Sequence, residues 1–146
     1  MEMTKEEYRE YARQHAPRSH VKRNALRAFL TGGLICSLGQ YLIRLYLELG
    51  LDKDAAGTAA SITLVFLAAL LTGLGVYDKL AKFGGAGALV PITGFANAVA
   101  APALEYKTEG LVNGTAARMF VIAGPVLVYG VGSSVLYGLL LVLLGR

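Results

Sequence analysis

A chain of 146 residues that is 55% hydrophobic and only 16% charged is not an ordinary soluble domain, where charged residues make up about a quarter of the total. Mean hydropathy is +0.52, and the apolar residues come in long blocks, which points to one compact helical membrane domain. The net charge of +4 is not a nucleic-acid footprint, because the basic residues gather beside the first apolar block. Cys36 is the single cysteine; it excludes a disulfide within the chain and reads as a small packed hydrophobe.

Residues 1–24 form a charged arm. Thr4-Lys5-Glu6-Glu7 has capping-box spacing, which predicts a short helix ending before Pro17, with Tyr8, Tyr11 and His15 toward one face. Lys5, Arg9, Arg13, Arg18, Lys22, Arg23 and Arg27 lie in this arm or at the start of the apolar block. Its mixed charge differs from a secretory signal or a mitochondrial presequence. His15 and His20 have no cysteine or carboxylate at ligand spacing, so no metal site is expected. The arm is expected on the cytoplasmic side, solvated or on the membrane surface.

The membrane domain, residues 25–146, opens with a span over 25–47. Gly33, Ser37, Gln40 and Arg44 share one helical face. That face is either a packing stripe or one wall of a polar pathway, and Arg44 can snorkel or pair with Glu48. An acidic connection, 48–54, leads to the cleanest span, 55–77, where Gly57, Ser61, Ala69 and Gly73 offer small surfaces. Asp78, Lys79 and Lys82 form the next connection.

The stretch 84–104 is uncharged and of spanning length, yet it holds Gly84, Gly85, Gly87, Pro91, Gly94 and Pro102. A proline in a helix interior costs about 3 kcal/mol. In hydrocarbon the freed backbone groups are tolerated only where protein or a water-filled cavity surrounds them. The segment is therefore a broken or re-entrant helix. Pro91, Thr93, Gly94 and Asn97 are candidates for a solute pathway, or else for a kinked packing helix. After the charged cluster 105–110, a partly polar stretch precedes the last span, 119–145. Gly124-Pro125 is expected to break that span near its start. Gly130, Ser134 and Gly138 repeat at four-residue steps as a packing face, with Tyr129, Ser133 and Tyr137 on a neighbouring one.

Four full spans put ten basic residues inside and four outside, whereas three spans put eleven inside and three outside. Both place the N-terminus in the cytoplasm. The expected fold is thus an all-α polytopic membrane protein, with three or four transmembrane helices, a broken or re-entrant centre and a short N-terminal cytoplasmic helix. Enzyme signatures are missing: Gly84-Gly85-Ala86-Gly87 lacks the remainder of a dinucleotide fingerprint or P-loop, and no His-Glu-x-x-His or Gly-x-Ser-x-Gly occurs. No enzyme activity, cofactor or metal is expected.

Several motifs resemble one family. They are Ala28-Phe29-Leu30-x-Gly32-Gly33-x-Ile35-Cys36-x-x-Gly39-Gln40, Gly84-Gly85-Ala86-Gly87, Val90-Pro91-Ile92-Thr93-Gly94-Phe95-Ala96-Asn97, Glu105-Tyr106-Lys107-x-Glu109-Gly110, Phe120-x-Ile122-Ala123-Gly124-Pro125 and Tyr129-Gly130. Together they look like the stage V sporulation protein AC (SpoVAC) family of endospore-forming bacteria, within the SpoVAC/SpoVAE-type membrane proteins. The likeness covers nearly the whole chain. Ala98 and Ala100 stand where serine is expected in many relatives, and the resemblance thus implies that hydroxyls at those two positions are not essential.

The resemblance implies a multi-pass subunit of the SpoVA complex in the forespore or spore inner membrane. Its partners would be a SpoVAE-type membrane subunit and a soluble SpoVAD-type protein. It implies a role in dipicolinic acid uptake during sporulation and release of its calcium chelate in germination, with mechanosensitive channel behaviour attributed to the AC subunit. Lys107 and Arg118 would suit an aromatic dianion electrostatically. The competing class is a non-conducting scaffold or assembly subunit.

Overall fold

The structure is a computed structural model that describes residues 4–15 and 19–145. The expectations that fall on Pro17, Arg18, Arg146 and the side chain of His15 lie outside the described residues. Helix α1 (Lys5–His15) begins at the expected capping box. The Thr4 amide donates to Glu7 Oε2 at 2.8 Å, and the Glu7 amide donates to Thr4 Oγ1 at 3.3 Å. These bonds hold the Glu7 carboxyl below its ordinary pKa, the Thr4 backbone contributing most and its hydroxyl next.

Helix α2 (Val21–Glu48) and helix α3 (Lys53–Gly73) are the first two of three helices long and apolar enough to cross a membrane. The start of α2 lies in the basic segment, four residues before the apolar block, because helical hydrogen bonding does not require apolar side chains. Both helices end in the same glycine motif. Gly50 and Leu51 donate back to Leu47 and Tyr46, and Gly75 and Val76 donate back to Thr72 and Leu71. The stretch 55–77 is therefore not one helix. It stops at Gly73, and Tyr77 opens the next element.

Helix α3 buries Ala56, Ala60, Leu64 and Ala68 at four-residue steps. This row lies one residue away from the expected Gly57 and Ser61. Against it, Gly39 of α2 stands so close that a side chain there would meet Leu64, and Tyr46 and Thr63 share a hydroxyl hydrogen bond of 2.7 Å. The packed face of α2 thus carries buried Thr31 with half-buried Gly32, Ile35 and Gly39. The Gly33, Ser37, Gln40 and Arg44 face is exposed, and Gly33 meets open space. The expected stripe does not pack within the chain, because both faces of this helix are apolar enough to serve. Cys36 is also exposed rather than packed. The ion pair among the described residues is Asp78–Lys82, so Arg44 does not pair with Glu48.

The centre is broken into α4 (Tyr77–Gly84), α5 (Ala86–Leu89) and α6 (Ile92–Glu105). The first break is Gly85, at φ 52° and ψ −126°, a conformation that a side chain disfavours. The second is Pro91, extended at ψ 164° as the residue before α6. Asp78, Lys79 and Lys82 lie on α4 rather than in a connection, with Lys82 Nζ 2.7 Å from Asp78 Oδ2 one turn away. Pro102 does not break the chain, since α6 runs through it. At 14 residues α6 is about 21 Å long, well short of a hydrocarbon core of roughly 30 Å.

A short 3-10 turn (Lys107–Glu109) and a π-helical turn (Leu111–Ala116) lead into α7 (Ala117–Leu143), and together the last two form the third candidate span, Leu111–Leu143. Contrary to expectation, α7 continues through Gly124-Pro125. The ring of a proline presses on the Cβ of the residue before it, and Gly124 has none. Only Ala123 of α7 is buried; from Pro125 to Tyr137 the helix is exposed.

Candidate functional site: a polar cleft beside the broken helix

Tyr77 joins the broken pieces. It is 1% exposed, packs with Ala68 and Ala96, and its hydroxyl donates to the Ala88 carbonyl at 2.8 Å. A phenol has one proton, so the 3.0 Å bond it shares with Thr93 is donated by the threonine. One side chain thereby satisfies a carbonyl freed at the end of α5 and a hydroxyl in the first turn of α6. Two glycines complete the junction. A side chain at Gly87 would run into the Ala28 backbone of α2, and one at Gly94 into the Leu89 backbone of α5.

One turn beyond Thr93, Asn97 is half-buried. Its amide oxygen is 2.9 Å from the Thr72 hydroxyl of α3, which also lies 2.7 Å from the Ala68 carbonyl. The threonine has a single proton. Given to Asn97, it leaves the amide NH2 toward the neighbouring cleft; given to Ala68, it calls for the opposite turn of the amide. In both cases one end of Asn97 is tied to Thr72 and the other faces a cleft of about 550 Å³, whose lining includes Thr72, Gly75, Asp78, Asn97, Ala101 and Glu105.

Of the solute-pathway candidates read from sequence, only Asn97 lines this cleft. Thr93 is buried and bonded to Tyr77, Gly94 is buried against Leu89, and Pro91 sets the second break. Lys107 is exposed in the 3-10 turn. The Arg118 guanidinium stacks 4.6 Å from the centroid of the Tyr106 ring. Neither cation lines the cleft, whose charged members are acids. Gln40 lines a separate cleft between α2 and α3, with Lys53, Asp54, Gly57, Thr58 and Ser61. Gly130 accepts the Ser134 hydroxyl at 2.8 Å on the exposed face of α7, and a Cβ at Gly138 would meet no other described residue. Tyr77, Thr72, Asp78 and Glu105 were not anticipated. Their signal was a pair of polar side chains, Thr72 and Tyr77, near the end of one uncharged run, and a carboxylate just past the end of that run and of the next, Asp78 and Glu105. No group of three histidine, cysteine or carboxylate side chains able to hold a metal occurs among the described residues.

Three span-length apolar helices around a broken central helix define the class, a small all-α polytopic membrane protein. The sequence profile of the SpoVAC/SpoVAEB sporulation membrane proteins matches residues 24–140, and the chain belongs to that family. It is 44% identical over 137 residues to stage V sporulation protein AC of Bacillus subtilis (strain 168), covering 93% of this chain and 91% of that protein. No solved structure matches it.

Proposed function

We propose that the chain is a membrane subunit of the SpoVA complex in the forespore and spore inner membrane, with its N-terminus in the cytoplasm. It helps to form a route for dipicolinic acid and its calcium chelate, acting with a SpoVAE-type membrane subunit and a soluble SpoVAD-type partner. In this reading the chain crosses three times, and the segment 77–105 enters and returns on one side. The 14 residues of α6, about 21 Å and short of a hydrocarbon core of roughly 30 Å, support that arrangement.

The observation that carries the proposal is Asn97. It is an amide beside a helix break, paired at one end and open to a polar cleft at the other. Asp78 and Glu105 in the lining oppose entry of a free dianion. In the calcium chelate the cation neutralises both substrate carboxylates, so this is the form the cleft suits.

Asn97→Leu tests the reading. The variant is expected to accumulate and assemble normally while dipicolinate flux falls, and a thiol in Asn97→Cys is expected to react with small aqueous reagents in the open state, once Cys36 is removed. Unchanged flux together with an unreactive thiol overturns it. The scaffold reading draws support from a different observation, the long exposed apolar face of α7. It predicts that assembly and flux fall together when α7 is altered, and that flux is indifferent to Asn97.

A further inference from the structure

The basic end of α2 poses a separate question. Arg27 and Arg44 bracket sixteen uncharged residues of this helix, about 25 Å at 1.5 Å per residue. That distance is close to the thickness of a hydrocarbon core and puts Arg27 at its boundary with the headgroups. Arg27 is half-buried, and no carboxylate lies within ion-pair distance of it among the described residues. Its guanidinium is held 4.9 Å from the centroid of the Phe83 ring on α4, so the charge points toward the protein instead of extending freely into water.

Arg27 and Phe83 stand in a cleft of about 460 Å³ between the start of α2 and the end of α4, with Asn24, Lys82, Gly84 and Gly85 also in its lining. Among the described residues no acid lines this cleft. The Lys82 ammonium uses one contact on Asp78, at 2.7 Å, and keeps further protons to donate. Gly84 brings the two helices together, since a side chain there would strike Thr31. The result is a concave site with a planar guanidinium, an ammonium, an amide and an aromatic wall, at the depth where lipid phosphates lie.

We propose that this cleft binds the headgroup of an anionic phospholipid. The phosphodiester accepts from the Arg27 fork and from Lys82, and the exposed Phe83 ring lies alongside the start of the acyl chains. Lys22 and Arg23, in the first turn of α2, line an adjoining cleft of about 440 Å³ and add to the attraction for an anionic surface. The ligand class follows from charge and depth, and the inference does not rest on the transport reading.

The test is lipid titration of the purified full-length protein in neutral detergent, read by native mass spectrometry. The probes are phosphatidylglycerol and phosphatidylcholine. The parent is expected to prefer phosphatidylglycerol, and Arg27→Gln is expected to weaken that binding about tenfold while leaving phosphatidylcholine unaffected. Arg27→Lys is expected to recover part of the loss, because it restores charge without the fork. Circular dichroism melting checks that each variant is folded, and if Arg27→Gln does not accumulate, Lys82→Gln is titrated instead, with a smaller loss expected. Equal binding of the two lipids overturns the proposal, as does a folded variant that keeps full preference. Displacement of phosphatidylglycerol by millimolar inorganic phosphate or dipicolinate also overturns it, assigning the cleft to a free anion.

Discussion

The α3–α6 region and α7 are written in nearly the same residues and behave differently. Both are apolar, rich in glycine and small side chains, and contain proline. In the first, Gly84, Gly87 and Gly94 stand where a Cβ would strike a neighbour, and Tyr77 and Thr93 are buried and bonded to each other. In the second, a Cβ at Gly124, Gly130, Gly132 or Gly138 would meet none of the other described residues, and the Ser133 and Ser134 hydroxyls bond to the carbonyl of Gly130 on their own helix. One region is internally complete. The other is an apolar rod whose surface is left for lipid or for other proteins. Small residues in a membrane segment thus mark a capacity for close approach, and their use depends on what lies opposite.

The sharpest way to break this contrast is to add one methyl group on each side of it. Gly94→Ala puts a Cβ into the Leu89 backbone and is expected to cost about 3 kcal/mol or more, seen as loss of the folded protein in detergent. Gly130→Ala is expected to leave the same melting curve unchanged. Equal effects of the two would mean that the contacts of the central junction do not hold it together.

Tyr77→Phe comes next. It keeps the ring among Ala68 and Ala96 but removes the hydroxyl that serves Ala88 and Thr93. Leaving those buried groups without partners is expected to cost about 1–3 kcal/mol, measured by thermal melting. Thr93→Val in the same background should add little, since the pair shares one bond.

Gly138→Leu is expected to change the stability of the isolated chain by less than about 0.5 kcal/mol, because nothing packs there. If the Gly130, Ser134, Gly138 row meets a partner, the amount of complex recovered with the other SpoVA proteins falls. Full recovery would show that this row faces lipid.

The smallest effect belongs to α1. The Glu7 carboxyl is held below its ordinary value by Thr4, so its contribution to the helix is complete above the unfolded carboxylate value of about 4.3. It is lost as pH falls through the lowered folded value. Amide protection factors at residues 5–8, corrected for the intrinsic pH dependence of exchange, should therefore fall on acidification in the parent and be less sensitive to pH in Glu7→Gln. Equal pH responses would remove the capping box as the start of α1.

The membrane class, the capping box at Thr4 and the broken centre were legible in the chain itself, because each rests on local chemistry. Long uncharged runs point to hydrocarbon, a threonine and a glutamate three residues apart can each bond the other's amide, and Pro91 has no amide hydrogen to continue a helix. The tertiary structure decided which face of each helix is inside. In a soluble helix the buried side is apolar and the exposed side polar, so periodicity reveals it. Here both sides are apolar, and adjacent small-residue rows such as Ala56, Ala60 and Ala68 beside Gly57, Ser61 and Gly73 compete on equal terms. The same ambiguity hid Thr31, Gly32 and Gly39 behind Gly33 and Ser37. It also hid the role of Tyr77, whose partners Ala88 and Thr93 lie 11 and 16 residues away and meet it only because the breaks at Gly85 and Pro91 fold the chain back on itself.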